Sequence, residues 1–251
     1  MTYVLFIAAF VYSASQLGFT DFQRLSRGVA NLAALLTEMF PPSFDTLPET
    51  TAALLETVQI AFVGTVVGFV LALPASAFAM RNIFPSYVTS PVRAFLGFVR
   101  TVPALFWAVV FVIAVGLGPL AGTLAVAVYS FGYLSKLLYE AFEAVDAEVL
   151  DALKVTGASR LVLVRQAVFT ESMNNIVSQL LFMFEYNIRS SAVLGFVGAG
   201  GVGFLMISYI ESLRYGNFTT VLLLTLATVI AIDLASGYIR KKFLPGFRPS
   251  T

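Results

Sequence analysis

The sequence contains no cysteine and no histidine among its 251 residues, and only 12% of them are charged. Without cysteine, the chain can form neither a disulfide framework nor a thiolate metal site. Without histidine, it lacks the side chain that most often serves as a general base or a metal ligand. Soluble domains carry about 25% charged residues, so half that share, together with 59% hydrophobic residues, is typical of a bilayer protein. The net charge of +1 gives no indication of nucleic-acid binding.

Long apolar stretches predict six membrane segments. A membrane-spanning helix needs about 20 mainly apolar residues. The predicted segments are Tyr3–Leu17, Leu54–Met80, Val99–Val115, Leu120–Leu138, Ser172–Gly195 and Phe218–Tyr238. Segments three and four are separated only by Gly116–Pro119, a tight turn that predicts an antiparallel hairpin. We therefore expect an all-α integral membrane protein.

The first 50 residues differ from the rest of the chain. The apolar start lacks a basic leader and a small-residue cleavage site, so we interpret it as a first membrane helix rather than a signal peptide. Residues Phe22–Phe40 have the pattern of an amphipathic helix, which we expect on the outer surface. Pro41, Pro42 and Pro48 are expected to break the chain before the next helix. Residues 1–50 thus form an N-terminal membrane helix and external amphipathic segment, and residues 51–245 form the membrane core.

The distribution of lysine and arginine predicts the orientation. Positively charged residues concentrate in the cytoplasmic loops of membrane proteins. If the N-terminus is cytoplasmic, the inside loops and tail hold 11 of the 15 basic residues. These are Arg81, Arg93, Arg100, Lys136, Lys154, Arg160, Arg165, Arg240, Lys241, Lys242 and Arg248. We therefore expect a multi-pass protein of the bacterial plasma membrane with both termini in the cytoplasm.

The charged stretch Glu140–Thr170 interrupts the membrane-like sequence. Glu148–Val155 and Arg160–Val168 both have helical patterns, and Gly157 between them suits the positive φ at a helix C-terminus. Ser159 is placed to cap the second helix. Small residues here would let the groove of another protein close over the backbone. The pattern alone also fits an ordinary amphipathic cytoplasmic loop.

A signature in this loop resembles that of the permeases of ATP-binding-cassette importers, which is Glu-Ala-Ala, three residues, Gly, nine residues, then Ile-x-Leu-Pro. Ala152 and Gly157 match it, and Asp151 is a like-charged substitute. Phe169 and Thr170 replace the terminal Leu-Pro, so the following helix is expected to start with a weaker bend. The resemblance implies that the loop is the coupling loop that docks on the ATPase. Its candidate residues are Asp146, Asp151, Ala152, Lys154, Gly157, Ala158, Ser159 and Arg160.

Several further blocks resemble the phosphonate/phosphite subfamily of these permeases, in order and spacing over about residues 50–240. They are Glu56–Ala61, Gly64–Thr65, Leu73–Pro74, Ala79–Asn82, Arg100–Ala108, Gly116–Gly122, Phe184–Ser190, Val193–Phe204, and Ile232–Asp233 with Ser236 and Arg240. The resemblance implies a six-helix transmembrane domain of the type I importers. It also implies a pore that works by alternating access and carries small phosphorus oxyanions, with no catalytic residues and no metal of its own.

The resemblance implies four kinds of partner: a second permease chain, identical or paralogous, two ATPase subunits, an extracytoplasmic substrate-binding protein, and membrane lipid. The binding protein would dock on Thr20–Glu49 and on the region of Gly195–Asn217. No GxxxxGK[ST] motif is present, so ATP and Mg²⁺ are expected on the separate ATPase and no cofactor is expected in this chain.

Candidate pore or gate residues lie in the fifth segment and just after it. They are Glu185, Arg189, Ser190, Gly198, Gly200 and Gly201. Glu185 and Arg189 are four residues apart and can pair on one helix face. Arg189 either helps an anion to cross or belongs to an ion pair that fixes helix packing, and Asn187 is assigned no role. The glycines satisfy GxGxxG, but they follow a membrane helix rather than a strand, which favours a re-entrant turn or gate over a dinucleotide site.

Three alternatives remain open at this point. The chain could be an importer permease for another small solute, such as methionine. It could be an ATP-independent channel or secondary transporter, although the charged Gly157 loop and the scarcity of buried carboxylates disfavour this. An enzyme is disfavoured because histidine, cysteine and an evident pair of acids are all missing.

Overall fold

A computed structural model describes residues 2–243, so Arg248 and the predicted end of the core at residue 245 lie outside the described residues. Eleven α-helices follow one another, and the described part contains no strand. They are α1 (Thr2–Gln16), α2 (Phe22–Met39), α3 (Leu47–Phe78), α4 (Ser86–Thr101), α5 (Ala104–Val115), α6 (Pro119–Glu143), α7 (Ala147–Val155), α8 (Arg160–Val162), α9 (Phe169–Leu194), α10 (Val202–Glu211) and α11 (Tyr215–Phe243). A π-helical segment, Leu163–Val168, joins α8 to α9, and a 3₁₀ turn, Gly195–Val197, ends α9. The predicted all-α class is confirmed.

The six membrane spans predicted from the sequence are not confirmed within residues 2–243. By length and hydropathy, four can cross: α3, α6, the continuous run Arg160–Val197, and α11. The α4–α5 pair, bent by 84°, could supply a fifth. The predicted third segment is therefore broken, because Val102 before Pro103 takes an extended conformation that a helix cannot continue. Helix α1 has 15 residues, which is short for a span of about 20.

The N-terminal part is only partly as predicted. The amphipathic helix is present as α2, and Asp21 caps it by accepting a hydrogen bond of 2.9 Å from the Arg24 amide. Pro48 does not break the chain. It lies in the first turn of α3, where its missing N–H would have no helical partner. Helix α3 consequently starts at Leu47 rather than at Leu54.

Helices α3 and α6 form the centre of the bundle, and α4, α5 and α9 pack against α6. Helix α5 ends at Val115 and α6 begins at Pro119, so the predicted hairpin is present. One buried cluster, which includes Leu134, Leu138 and Phe142, surrounds the end of α6 next to α7. Another, which includes Ile60, Val126 and Leu194, lies toward the glycine-rich turn after α9. These two clusters define a loop end and a glycine end of the bundle.

Candidate functional site

Helix α7 is closed by local hydrogen bonds at both ends. The Asp146 carboxylate accepts a hydrogen bond of 3.1 Å from the Glu148 amide at its start. At its end Gly157 has a φ of +79°, and its amide donates to the Lys154 carbonyl at 2.9 Å. The Ala158 amide donates to the Leu153 carbonyl at 3.4 Å, which completes the hydrogen-bond pair typical of a glycine-terminated helix. The glycine break predicted from the sequence is present.

Ser159 does not cap α8 as predicted, because its side chain makes no capping hydrogen bond. Its backbone carbonyl instead accepts the first helical bond, from the Leu163 amide at 3.0 Å. The chain then continues through the π-helical segment into α9 without a sharp bend, as expected from the missing Leu-Pro. Arg160 lies over the Phe84 ring, 5.8 Å from its centroid, which links the loop to the α3–α4 turn.

The inner face of α7 is anchored to the bundle. Leu150 is only 3% exposed and packs in the cluster with Leu138 and Phe142 of α6 and with Val168 just before α9. Burying a leucine side chain stabilises a fold by about 1.5–3 kcal/mol. The burial of Leu150 therefore anchors α7 to the ends of α6 and α9.

The outer face of α7 and the turn after it are open to solvent. Asp151, Ala152 and Lys154 are exposed, and Lys154 forms an ion pair of 2.9 Å with Asp151. Val155 is 88% exposed and Leu161 is 77% exposed, although both are branched apolar residues in a charged loop. Exposed apolar side chains among charged ones are the composition of a protein–protein contact.

An ion-pair network braces the base of the loop. The Glu143 carboxylate accepts a hydrogen bond of 2.6 Å from the Arg81 amide and one of 2.5 Å from Arg93 Nη2. Arg93 also donates from Nε to the Ala79 carbonyl at 2.7 Å and lies over the Tyr139 ring. These bonds join the α3–α4 connection to the end of α6, so the loop projects from a rigid support.

At the glycine end, the turn after α9 is bound to the side of α3. The Gly201 amide donates to Glu56 Oε1 at 2.8 Å, and the Val202 amide donates to Thr57 Oγ1 at 2.8 Å. Gly198, Gly200 and Gly201 all have positive φ, and the Gly198 carbonyl accepts from the Gly118 amide at 2.9 Å. A helix, not a strand, precedes this turn, so the geometry of a dinucleotide site is missing.

The two segments expected to meet an external partner lie together at this end. Asp45 accepts a hydrogen bond of 2.8 Å from Asn217 and lies 3.6 Å from the Arg214 guanidinium. The Ser43 amide donates to the Gly216 carbonyl at 3.0 Å. The hydroxyl of Ser43, followed by Asn217, holds the pKa of the Asp45 carboxyl below its ordinary value. The connection before α3 and the α10–α11 turn therefore form one surface, which we call the outer platform (residues 43–46 and 214–217).

The predicted ion pair between Glu185 and Arg189 is wrong. Glu185, 6% exposed, pairs with Arg240 of α11 at 2.5 Å. Arg189 is exposed and forms no ion pair within residues 2–243, and Ser190 beside it is half-buried. An uncompensated charge near the bilayer centre costs about 2.5–3.5 kcal/mol on insertion scales, so such residues usually face a wet cavity or another protein. Arg189 therefore has no carboxylate partner in the part of the chain that the structure describes.

Asn187 is the residue that the sequence interpretation missed. It is fully buried and donates from Nδ2 to Thr65 Oγ1 at 2.8 Å and to Ser130 Oγ at 2.7 Å. Its side chain therefore joins α3, α6 and α9 in the middle of the bundle. A polar residue two positions after a predicted intramembrane carboxylate was the available signal, since such residues usually face the bundle interior.

Comparison with known proteins identifies the family. Residues 64–248 match the family described as "Binding-protein-dependent transport system inner membrane component". The chain is 39% identical to a phosphate-import permease protein of Mycolicibacterium smegmatis, over 84% of this chain but only 40% of that protein's length. It is 37% identical to a putative phosphite transport system permease protein of Stutzerimonas stutzeri, over 88% of this chain and 78% of the relative. Both relatives are named as permeases, not as enzymes.

The fold is also known from a solved structure. An inward-facing conformation of the MetNI methionine ABC transporter superposes with a TM-score of 0.69 at 22% identity, over 79% of this chain and 98% of that one. This likeness confirms the expected importer-permease fold. The family match covers most of the chain, and its description places the protein in the inner membrane. The chain belongs to the family of inner membrane components of binding-protein-dependent transport systems.

Proposed function

We propose that this chain is the pore-forming permease subunit of an ATP-driven importer for small phosphorus oxyanions such as phosphonate, phosphite or phosphate. The observation that carries the proposal is the loop that contains α7, which is anchored inside by Leu150 and open outside at Val155 and Leu161. A channel or secondary transporter has no ATPase partner, so it does not need a loop that is anchored to the bundle and exposes apolar side chains. The names of the relatives support the substrate class.

The energy comes from a separate ATPase subunit that docks on the outer face of α7. Val155 and Leu161 would enter an apolar groove of the ATPase, and Asp151, Lys154 and Arg160 would surround that contact. ATP and Mg²⁺ are held by the ATPase, because this chain has no phosphate-binding glycine–lysine motif. In this arrangement the loop end and both termini face the cytoplasm, as the distribution of basic residues indicates. This requires α1 to cross the membrane as a further span.

The glycine end faces the opposite side, where a substrate-binding protein delivers the anion. Its docking surface is the outer platform, supported by the hydrogen bonds that join Ser43 and Asp45 to the α10–α11 turn. A second permease chain completes the pore. ATP binding would bring the two α7 helices together and open the pore toward the binding protein, and hydrolysis would reset it. The glycine segment, Gly198–Gly201, forms the gate on this side.

The proposal is tested by reconstituting this chain in lipid with the ATPase and binding protein encoded beside it. ATP hydrolysis is then measured against added phosphite, methylphosphonate, phosphate and methionine. We expect stimulation by one or more of the phosphorus oxyanions. Stimulation by methionine alone would support the permease role but refute the proposed substrate class. If no ATPase associates with the chain, the importer proposal is refuted and an ATP-independent channel becomes the better explanation.

A further inference from the structure

Three tyrosines form a stacked row on one face in the middle of the bundle. The ring of Tyr129 in α6 stacks on Tyr133 at 5.9 Å and on Tyr186 of α9 at 5.8 Å, with interplanar angles of 25° and 22°. The hydroxyls of Tyr129 and Tyr186 are 3.3 Å apart. The Tyr133 hydroxyl makes no hydrogen bond within the described residues. We call this row the tyrosine ladder (Tyr129, Tyr133 and Tyr186).

Two arginines without carboxylate partners flank the ladder. Arg189 lies three residues after Tyr186 and so shares its helix face. The Arg100 backbone packs on Gly132, halfway along α6, which lies next to Tyr133 and three residues after Tyr129. The sequence analysis counted Arg100 among the cytoplasmic basic residues, whereas its contact with Gly132 places it beside the middle of α6. Neither arginine forms an ion pair in the part of the chain that the structure describes.

The buried Asn187 holds the ladder in register. Asn187 follows Tyr186 in α9, and Ser130 follows Tyr129 in α6. Successive residues of a helix point about 100° apart, so the bond from Asn187 to Ser130 on the buried side fixes the two tyrosines on the adjoining exposed side. The hydrogen bonds that join α9 to α6 through Asn187 thus also set the contact between Tyr129 and Tyr186.

We propose that the tyrosine ladder, with Arg100 and Arg189, is an oxyanion-binding station in the translocation path, an inference that rests on the proposed function. Phenol hydroxyls and guanidinium groups donate hydrogen bonds, and a phosphorus oxyanion presents several acceptor oxygens around one small centre. The glutamate nearest in sequence, Glu185, is buried and forms an ion pair with Arg240 of α11. The face is therefore positively charged and rich in donors.

The length of the station favours passage over retention. Tyr133 lies one helical turn from Tyr129 toward the loop end, and Arg189 lies one turn from Tyr186 toward the glycine end. At 1.5 Å per residue these two steps together extend roughly 10 Å along the bundle. An anion can exchange one donor for the next over this length, and a series of weak sites lets a solute leave as well as enter.

The test uses the complete transporter in proteoliposomes and measures phosphite uptake for each ATP hydrolysed. Tyr129→Phe combined with Tyr186→Phe keeps the rings and removes two hydroxyls. We expect uptake per ATP to fall about tenfold. The loss of one hydrogen bond to an anion weakens the binding of that anion by about tenfold or more. Arg100→Gln should give a similar loss and Arg100→Lys a smaller one. The matched control is Tyr87→Phe, an exposed tyrosine at the start of α4, which should leave uptake unchanged.

Two results would overturn the inference and leave the proposed function intact. The first is full phosphite uptake in both the double phenylalanine variant and Arg100→Gln. The second is separation of the two permease chains in the double variant, which would make this face a subunit interface. Absence of uptake by the unmodified transporter with phosphite, phosphate and methylphosphonate would instead refute the proposed function and the station together.

Discussion

Substitution of Gly157 isolates the role of the turn after α7 in docking the ATPase. A Cβ atom at this position would have no heavy atom within 4 Å outside the adjacent residues, so the first atom of a substituted side chain meets no steric obstacle. The penalty comes only from the φ of +79°, which L-residues rarely adopt. Any effect of the substitution therefore reports the conformation of the turn and its contact with a partner.

The expected size of the effect follows from the backbone. An L-residue in the left-handed region costs about 1–2 kcal/mol, and a β-branched residue costs more, whereas asparagine adopts this region with little strain. If the turn must keep its conformation to dock, 1–2 kcal/mol weakens ATPase binding by roughly 5–30-fold. We expect Gly157→Asn to bind nearly as well as the native chain, Gly157→Ala to bind less well, and Gly157→Val to bind worst.

The assay is the dissociation constant of the ATPase from the permease in detergent, together with the melting temperature of the permease alone. Gly97→Ala is the control, because Gly97 lies inside α4 with no atom within 4 Å of an added Cβ and with an ordinary φ. The melting temperature should change little in every variant, since the turn is exposed. Unaltered binding and ATP hydrolysis in Gly157→Val would refute docking through this turn.

Three further predictions concern side chains that join helices inside the bundle. Leu150→Ala should loosen α7 by about 2–5 kcal/mol, seen as faster amide exchange in residues 147–155 and fewer anions carried per ATP; unchanged exchange would refute the anchor. Asn187→Leu should lower the unfolding free energy by about 0.6–1.7 kcal/mol, from the average to the largest value measured for an interhelical hydrogen bond in a membrane, and an unchanged denaturation midpoint would contradict it. Arg240→Ala leaves the Glu185 carboxylate buried and unpaired, at a cost of about 3–5 kcal/mol. Adding Glu185→Gln should recover part of that loss, and no recovery would show that the pair is not what Arg240 contributes.

The features predicted from the sequence are those with a local physical cause. Gly157 ends α7 because a glycine adopts positive φ without strain, and Gly116–Pro119 turns the chain because those residue types cannot continue a helix there. The likeness to importer permeases also depended on short blocks of adjacent residues. Helix patterns and turn residues can be recognised within one stretch of chain. The fold class and the glycine break after α7 could therefore be predicted from the sequence.

The features that the sequence did not predict depend on which helices meet. Glu185 had a suitable cation one turn away in Arg189, yet it pairs with Arg240, 55 positions along the chain, because α9 and α11 pack together. Asn187 had no assigned role, since its two acceptors lie in α3 and α6. The position of Arg100 beside the middle of α6 depends on the packing of α4 against α6. A spacing rule that applies within one helix cannot predict contacts between residues of different helices.

The two proposed sites are linked through the same pair of helices. Leu150 of α7 packs on Leu138 and Phe142 of α6 and on Val168, which leads directly into α9. The tyrosine ladder is carried by those two helices, with Tyr129 on α6 and Tyr186 on α9. The bond between Asn187 and Ser130 fixes one helix against the other near the ladder. A close-packed interior transmits a displacement rather than absorbing it. A movement of α7 imposed by the ATPase would therefore tilt α6 and α9 as one body, and would shift the ladder relative to a second permease chain without breaking the stack.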